Sequence, residues 1–388
     1  MSEKINIGLS IGGTKIAAGV LNASGLVGTP DDQPEPVTWQ QLEQAHPNLP
    51  PFDRALTGIV EEIDTALKKF KIKSDALSGV GISWAGPGDY AAGKIKNDKI
   101  PGFQTMVDLK TPLQNLISKK FGRAVPIEIM HDGAAGAVGE HRLPNGALHG
   151  QPHGIAVIVG TGVGAGFIEN GHPVYGVCGK AEAFIGEIGF HLIRSSDGSY
   201  RYRGNGANWD HPVPYDPDPA KGEVRLEQRV AGPWVAARFV EFLRAAGEPD
   251  QKRFGVEIPL GPDALPSVQR PIVTDAALQA ELLASITQWA IDMKHAGHVA
   301  ARTFIQEVGL ELGRALAVFR AEYADRPFVK EGRIVLISTM GEKFGEGVLD
   351  SHGQDLFLKA VRRGAGFENI VRSRIGVERE FAFAMPPV

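Results

Sequence analysis

Near the start of the chain stands Ile7-Gly8-Leu9-Ser10-Ile11-Gly12-Gly13-Thr14-Lys15-Ile16-Ala17-Ala18-Gly19-Val20-Leu21, and Ile158-Val159-Gly160-Thr161-Gly162-Val163-Gly164-Ala165-Gly166-Phe167-Ile168 repeats its plan. In each stretch an apolar strand runs into small residues with a threonine, and a second apolar strand follows, which predicts a β-hairpin. Glycine at such a turn lets a ligand approach the backbone closely, and convergent N–H groups form an anion nest. Two such hairpins predict a chain of phosphates bound between two lobes, and hence a nucleotide.

Two other interpretations of these glycine-rich stretches compete with a nucleotide site. The run Gly160-Thr161-Gly162-Val163-Gly164-Ala165 also fits a loose dinucleotide fingerprint, which requires a helix directly afterwards. Here a strand and the turn Glu169-Asn170-Gly171 follow, so the dinucleotide fingerprint is rejected. A purely structural interpretation stays open, in which the glycines serve only the backbone geometry of two hairpins.

Composition bounds the class of protein. A length of 388 residues predicts two or three domains. The formal net charge of −4 and the pI near 6.3 argue against nucleic acid as a partner. A single cysteine, Cys178, excludes a disulfide framework and a multi-cysteine metal site. The sequence shows no apolar run of membrane-spanning length and no apolar signal-peptide core, so we predict a cytoplasmic protein with no membrane partner.

Strand patterns alternate with helical patterns along the chain, which predicts an α/β fold. Helices are expected at residues 53–70, 111–121, 227–246 and 275–323, and strands at 77–83, 125–130 and 333–338. Residues 30–51, with several prolines, are expected to be an irregular surface segment, and 195–222 a long loop.

Asp132 follows a predicted strand and begins a predicted helix, Gly133 to Glu140, that is rich in small residues. A carboxylate there can act as a general base and take a proton from a substrate hydroxyl as the oxygen attacks a phosphoryl group. Aspartate is also a favoured N-cap, so a capping role is the competing interpretation. The paired hairpins favour catalysis.

Glu187, in Gly186-Glu187-Ile188-Gly189, offers one carboxylate that could accept hydrogen bonds from sugar hydroxyls. A lone glutamate between glycines is more often a turn residue. The histidines His172, His191 and His211 are too scattered to predict a metal site.

Taken in order, these motifs resemble the ROK family of sugar kinases and repressors, which has the actin–hexokinase–Hsp70 fold. The family's phosphate-1 loop is similar to Ser10-Ile11-Gly12-Gly13-Thr14-Lys15, its sugar loop to Gly81 through Gly88, its catalytic block to His131 through Glu140, its phosphate-2 loop to Gly160 through Gly166, and its sugar-binding glutamate segment to Gly186 through Gly189. The resemblance runs from residue 5 to about residue 345.

The resemblance implies an α/β, two-lobed actin-like ATPase (ribonuclease H-like) fold with an interlobe cleft. A small lobe would span residues 1–127 and a larger one 128–388. The protein would be a homodimeric kinase that uses ATP and Mg²⁺ on a small-molecule sugar or polyol, with Asp132 as base. ATP phosphates would meet Gly12, Gly13, Thr14, Lys15, Gly160, Thr161, Gly162 and Gly164; adenosine would meet Gly341; the substrate would meet Gly86, His131, Glu187 and His191.

The sequence departs from the family pattern at several of these positions. Ser10 stands where the family has a magnesium-positioning aspartate, and its loss predicts turnover lower by about 10²–10³-fold. His131 replaces an asparagine, and Phe190, followed by His191, replaces a histidine. Residues 195–222 contain no cysteine, so no zinc is expected, and Ser338 through Gly341 replaces a Gly-Gly pair.

Two functional hypotheses remain after these departures. The first is an ATP-dependent sugar or polyol kinase, and the second is a catalytically weakened or silent homologue that binds sugar or nucleotide for regulation. A DNA-binding repressor is a weaker option, because the phosphate-1 strand lies within the first ten or so residues of this sequence. Other phosphoryl chemistry, such as a phosphatase or an ATPase, would use the same loops and base to direct water.

Overall fold

The computed structural model describes residues 4–86, 88–160, 162–174, 188, 192–194, 200–201, 223–246, 276–295, 297–338, 344–373, 375, 381 and 384. Four predicted site residues, Thr161, Glu187, His191 and Gly341, lie outside this set, as does most of the segment 195–222. The strands are β1 (Ile5–Ile11), β2 (Lys15–Asn22), β3 (Gly25–Leu26), β4 (Val37–Thr38), β5 (Leu77–Trp84), β6 (Gly88–Asp89), β7 (Lys94–Ile95), β8 (Val107–Asp108), β9 (Ile127–His131), β10 (Gly154–Val159), β11 (Val163–Glu169), β12 (His172–Pro173), β13 (Leu192–Arg194), β14 (Tyr200–Arg201), β15 (Glu223–Arg225), β16 (Arg333–Ser338) and β17 (Ile370–Arg372). The α-helices are α1 (Trp39–Ala45), α2 (Pro51–Lys69), α3 (Lys110–Phe121), α4 (Asp132–Arg142), α5 (Glu227–Val230), α6 (Gly232–Ala246), α7 (Ala276–Ile291), α8 (His298–Glu322), α9 (Pro327–Lys330) and α10 (Leu356–Ala365).

The N-terminal sheet has the strand order β3-β2-β1-β5-β9. The short strand β4 also pairs with β2. Strands β1 and β2 form the predicted hairpin, whereas β1, β5 and β9 run parallel to one another. Parallel strands need crossover connections, and α2 and α3 occupy those crossovers. The sheet is buried because β1 and β5 are apolar almost throughout, as parallel central strands are.

The second glycine-rich hairpin belongs to another sheet, with the order β12-β11-β10-β16-β17. The glycines of residues 160–164 are followed by β11 and not by a helix, which confirms the rejection of a dinucleotide fingerprint. Smaller sheets have the orders β6-β7-β8 and β14-β13-β15. None of the described helices is long and apolar enough to cross a lipid bilayer.

The chain forms two compact units. The first contains the described residues within Met1–Ala156, Gly166–Gly186 and Ser373–Val388, and the second those within Val157–Ala165 and Glu187–Arg372. Both units are discontinuous in sequence. The predicted division into lobes 1–127 and 128–388 concerns continuous domains and stays a prediction.

The expectation of an irregular segment at residues 30–51 is wrong in part. Strand β4 and helix α1 lie inside it, because Thr38 and Gln41 form a capping box that starts the helix. The two long C-terminal helices are each divided: α5 and α6 break at Ala231, and α7 and α8 are separate helices. The several prolines of residues 30–51 were the reason for predicting an irregular segment. The apolar face of α1 is also short, with Leu42 as its one buried residue.

The C-terminal segment returns to the first hairpin. Gly8 of β1 and Gly19 of β2 are directly paired; the Phe381 backbone lies against Gly8 and the Phe381 ring against Gly19. A Cβ added at Gly8 would come within 2.6 Å of the Phe381 carbonyl oxygen, so only glycine leaves room for this contact. Phe381 also packs in a buried cluster with Leu21, Leu143 and Ile375.

Candidate functional site

Strand register brings three predicted loops to one edge of the N-terminal sheet. Ile11 of β1 pairs with Trp84 of β5, and Trp84 pairs with His131 of β9. Each of these residues is the last of its strand, and the three strands are parallel. The glycine loop after β1, the Gly86 loop after β5 and Asp132 after β9 therefore begin side by side, at the carboxyl edge where α/β sheets bind ligands.

The first glycine loop keeps part of the predicted anion nest. The Gly12 N–H donates to the Lys15 carbonyl oxygen at 3.1 Å, which closes the turn and removes that group from ligand binding. Within the described part of the chain, the N–H groups of Gly13 and Thr14 donate no hydrogen bond, and Thr14 is exposed. A phosphate oxygen can accept hydrogen bonds from free backbone donors of this kind.

Trp39, the first residue of α1, holds this loop in shape. Its indole N–H donates to the Gly12 carbonyl oxygen at 3.0 Å, and its backbone N–H donates to the Thr14 carbonyl oxygen at 3.3 Å. The carbonyl oxygens of Gly12 and Thr14 thus both point towards Trp39. Because oxygens turned towards a bound phosphate would repel it, this arrangement favours an anion at the remaining N–H groups.

The loop after β5 is built around Gly86. Its φ of +134° lies in a region that side chains rarely adopt, and a Cβ there would lie 2.5 Å from the Lys96 carbonyl oxygen. The Tyr90 hydroxyl donates to the Gly86 carbonyl oxygen, and Asn97 Nδ2 donates to the Ala85 carbonyl oxygen. Tyr90 and Asn97 are both buried, so this loop is a fixed turn at the same sheet edge.

Asp132 is the first residue of α4, and the predicted strand-to-helix junction is confirmed. The helix is capped by His131, whose Nδ1 accepts the Gly133 N–H at 3.2 Å. Asp132 Oδ1 accepts the same N–H at 2.7 Å, while within the described residues its Oδ2 makes no hydrogen bond. The Asp132 side chain is 49% exposed, so Oδ2 is open to a substrate hydroxyl. The N-cap residue of α4 is His131. Asp132 therefore does not occupy the N-cap position, which was its competing interpretation.

His131 is buried and orients Asp132. Since Nδ1 accepts a hydrogen bond, the proton of a neutral ring is on Nε2, which lies 3.2 Å from Asp132 Oδ1. The ring also meets Tyr90 edge-on, with centroids 6.1 Å apart. The side chain of His131 is only 7% exposed. Its surroundings therefore suit an orienting role for the carboxylate, and its predicted contact with substrate stays a prediction.

The second glycine loop is described apart from Thr161. The Gly160 N–H donates to the Gly162 carbonyl oxygen at 2.8 Å, and the Gly160 carbonyl oxygen accepts the Gly232 N–H at 2.8 Å. Gly232 begins the fifteen-residue helix α6, so the positive end of a helix dipole lies against this loop. A carboxylate is also close, because Glu227 Oε2 would lie 3.6 Å from a Cβ added at Gly162.

Several residues of these loops were not predicted from the sequence: Trp39, Tyr90, Asn97, Lys99 and Gly232. A signal was available for the last one. Proline is favoured in the first turn of a helix, and Pro233 marks the start of α6 inside what was predicted as one continuous helix. Trp39 and Lys99 act through contacts between segments far apart in sequence, whereas Tyr90 and Asn97 close the turn after β5.

The chain is similar to one protein family and to curated sugar kinases. The model of the ROK family matches residues 6–205. A glucokinase of Halalkalibacterium halodurans is 29% identical over 200 residues, which is 51% of this chain and 53% of that protein. The chain spans about half the length of the curated relatives it matches.

Two solved structures show the same fold. One is a ROK hexokinase from Thermus thermophilus, at 23% identity and a TM-score of 0.57, covering 98% of this chain and 96% of that chain. The other is a ROK family glucokinase from Streptomyces griseus in complex with glucose and AMPPNP, at 21% identity and a TM-score of 0.57, covering 98% of this chain and 97% of that chain. The predicted actin-like ATPase fold is confirmed.

Proposed function

The chain belongs to the ROK family, and from this premise we propose that it transfers the γ-phosphoryl group of ATP to a hydroxyl of a sugar or sugar-like polyol. The observation that supports this most directly lies at one sheet edge. There the open Oδ2 of Asp132, after β9, and the free N–H groups of Gly13 and Thr14, after β1, lie at the same edge of one sheet, with β5 between the two strands. A base and a phosphate-binding loop are the two elements that phosphoryl transfer to a hydroxyl needs from the protein.

In the proposed reaction, Asp132 Oδ2 accepts the proton of the substrate hydroxyl. The hydroxyl oxygen forms a bond to the γ-phosphorus, the bond from that phosphorus to the β,γ-bridging oxygen breaks, and ADP leaves. His131 Nε2–H keeps Asp132 Oδ1 engaged, so the carboxylate presents its other oxygen to the substrate. Positioning and charge stabilisation supply most of the rate enhancement in reactions of this kind.

Each glycine loop binds nucleotide phosphates in this proposal. The first uses the N–H groups of Gly13 and Thr14 together with the exposed Lys15. The second, Gly160 through Gly164, lies at the N-terminus of α6, whose dipole favours negative charge. The Gly160 N–H is already bonded within its own turn, so Gly162 is the better candidate donor in that loop.

Magnesium accompanies ATP in most such reactions, and when bound it would neutralise the charge that develops on the phosphate oxygens. The described residues contain no group of three or more His, Cys, Asp or Glu side chains that could hold a metal ion. The Ser10 hydroxyl at the end of β1 is an oxygen donor of the kind that fits magnesium. We propose that Ser10 would help to hold magnesium at this end of β1.

Coupled ADP release tests the proposal, with ATP and magnesium against glucose, other hexoses, amino sugars, N-acetylated sugars and cyclitols. Asp132→Asn should lower kcat by about 10²–10⁴-fold, because a positioned base contributes that much. The matched control is Asp31→Asn, an exposed carboxylate in a short 3₁₀ turn.

The outcomes separate the two functional hypotheses. Substrate-dependent ADP release that Asp132→Asn abolishes and Asp31→Asn retains supports a kinase and identifies its substrate class. Sugar or nucleotide binding without turnover would reject the kinase and support the silent homologue, with Ser10→Asp as the variant expected to regain activity. Equal turnover in Asp132→Asn and the wild type would reject Asp132 as the base.

A further inference from the structure

Lys99 lies across the first glycine loop, although it is 84 residues beyond Lys15 in sequence. A Cβ added at Gly13 would meet Lys99 Cβ at 3.2 Å, Cδ at 3.4 Å and Cγ at 3.9 Å. The aliphatic stem of Lys99 therefore packs along the backbone of Gly13, whose N–H is one of the free donors. The ammonium, two bonds beyond Cδ, stays close to the same loop.

The backbone of Lys99 is fixed by a buried turn. Its N–H donates to Asn97 Oδ1 at 2.8 Å, and the next N–H, that of Ile100, donates to the Asn97 carbonyl oxygen at 3.2 Å. Ile100 is fully buried, and the Asn97 N–H donates to the Phe103 carbonyl oxygen at 2.7 Å. A long side chain that starts from a fixed backbone and is supported along its stem loses less conformational freedom when its charge binds a ligand.

The ammonium of Lys99 is available to bind a ligand. The nearest carboxylate in sequence, Asp98, pairs instead with Lys96 at 3.2 Å. Among the described residues Lys99 itself forms no ion pair, and it is exposed. An ammonium that is held beside free backbone N–H groups and has no protein anion suits an anionic ligand.

The same segment also touches the loop predicted to bind the sugar. Gly86 lies against Lys96 and Asn97, and Asn97 is bonded to Ala85, so residues 96–99 join the Gly86 loop to the Gly13 loop. On the proposed function, the group that lies between sugar and nucleotide is the phosphoryl group in transfer. We infer that Lys99 binds this γ-phosphoryl group, an inference that rests on the proposed function.

The test compares Lys99→Met, which keeps the stem and removes the charge, with Lys99→Arg, which keeps the charge. Lys96→Met is the matched control, because that lysine is paired and belongs to the same segment. Calorimetry measures the affinity for ADP and for AMPPNP, a triphosphate analogue that resists transfer, at one magnesium concentration. Lys99→Met should bind AMPPNP about 10–100-fold more weakly, the usual worth of a charge-assisted hydrogen bond, and ADP within about twofold of the wild type.

Three results would overturn the inference, and they are distinguishable. If the wild type binds both nucleotides and Lys99→Met binds AMPPNP equally well, the inference about Lys99 is rejected and the proposed function is unaffected. An equal loss for ADP and AMPPNP also rejects it, because Lys99 would then act on the shape of the loop. A wild type that binds neither nucleotide rejects the proposed function together with the inference. Lys99→Arg should retain most of the affinity for AMPPNP.

Discussion

Glu62 gives the protein a pH-dependent stability. It lies on the buried face of α2 with 7% exposure, and among the described residues its Oε2 has no hydrogen-bond partner. Burial, with a smaller contribution from the neighbouring charge of Glu61, raises the pKa of Glu62 from 4.5 to about 7. Between these two values the folded protein binds more protons than the unfolded chain. The free energy of unfolding therefore falls as the pH rises through this window.

The magnitude follows from the size of the shift. Each pKa unit corresponds to about 1.4 kcal/mol, so the raised pKa of Glu62 lowers the free energy of unfolding by about 1 kcal/mol at pH 5 and by about 3 kcal/mol at pH 8. Glu62→Gln cannot ionise, so its advantage in stability over the wild type should grow by about 2 kcal/mol between those pH values. Urea unfolding followed by circular dichroism at pH 5, 6, 7 and 8 measures this difference.

The matched control is Glu128→Gln, at an exposed position of β9 in the same compact unit. It should keep the pH dependence of the wild type. Because the amide of Glu62→Gln is also polar, Glu62→Met serves as a second variant that places no polar group in the desolvated site. If both Glu62 variants lose stability with rising pH as steeply as the wild type, the reasoning is refuted.

Two further predictions concern contacts that the sequence did not reveal. Trp39→Phe removes the indole N–H from the Gly12 carbonyl oxygen and leaves a smaller aromatic ring, so ADP affinity measured by calorimetry should fall about 3–10-fold; unchanged affinity would count against a positioning role. Gly19→Ala places a methyl group against the Phe381 ring and should lower the free energy of unfolding by about 1–3 kcal/mol. The loss should shrink in a Phe381→Ala background, and a strictly additive double variant would contradict the contact.

The local sequence pattern was sufficient to predict several elements of the fold. The β1–β2 and β10–β11 hairpins, the helix α2 and the junction at Asp132 were each predicted, because alternation, helical period and glycine turns are written in neighbouring residues. Predictions were wrong where local signals conflicted. Prolines around α1 suggested an irregular segment, yet the capping box of Thr38 and Gln41 starts a helix there.

The sequence by itself determined which residue types were present: two glycine loops, a carboxylate at a strand–helix junction, and the order of motifs that indicates the family. It could not determine which of them meet. Asp132 and the loop after β1 come to the same sheet edge because β1, β5 and β9 are parallel and in register, with β5 between the other two. Trp39 and Lys99 reach that loop from separate segments, and Phe381 returns to Gly8 from the end of the chain. Such contacts depend on packing between elements distant in sequence, and no local periodicity encodes them.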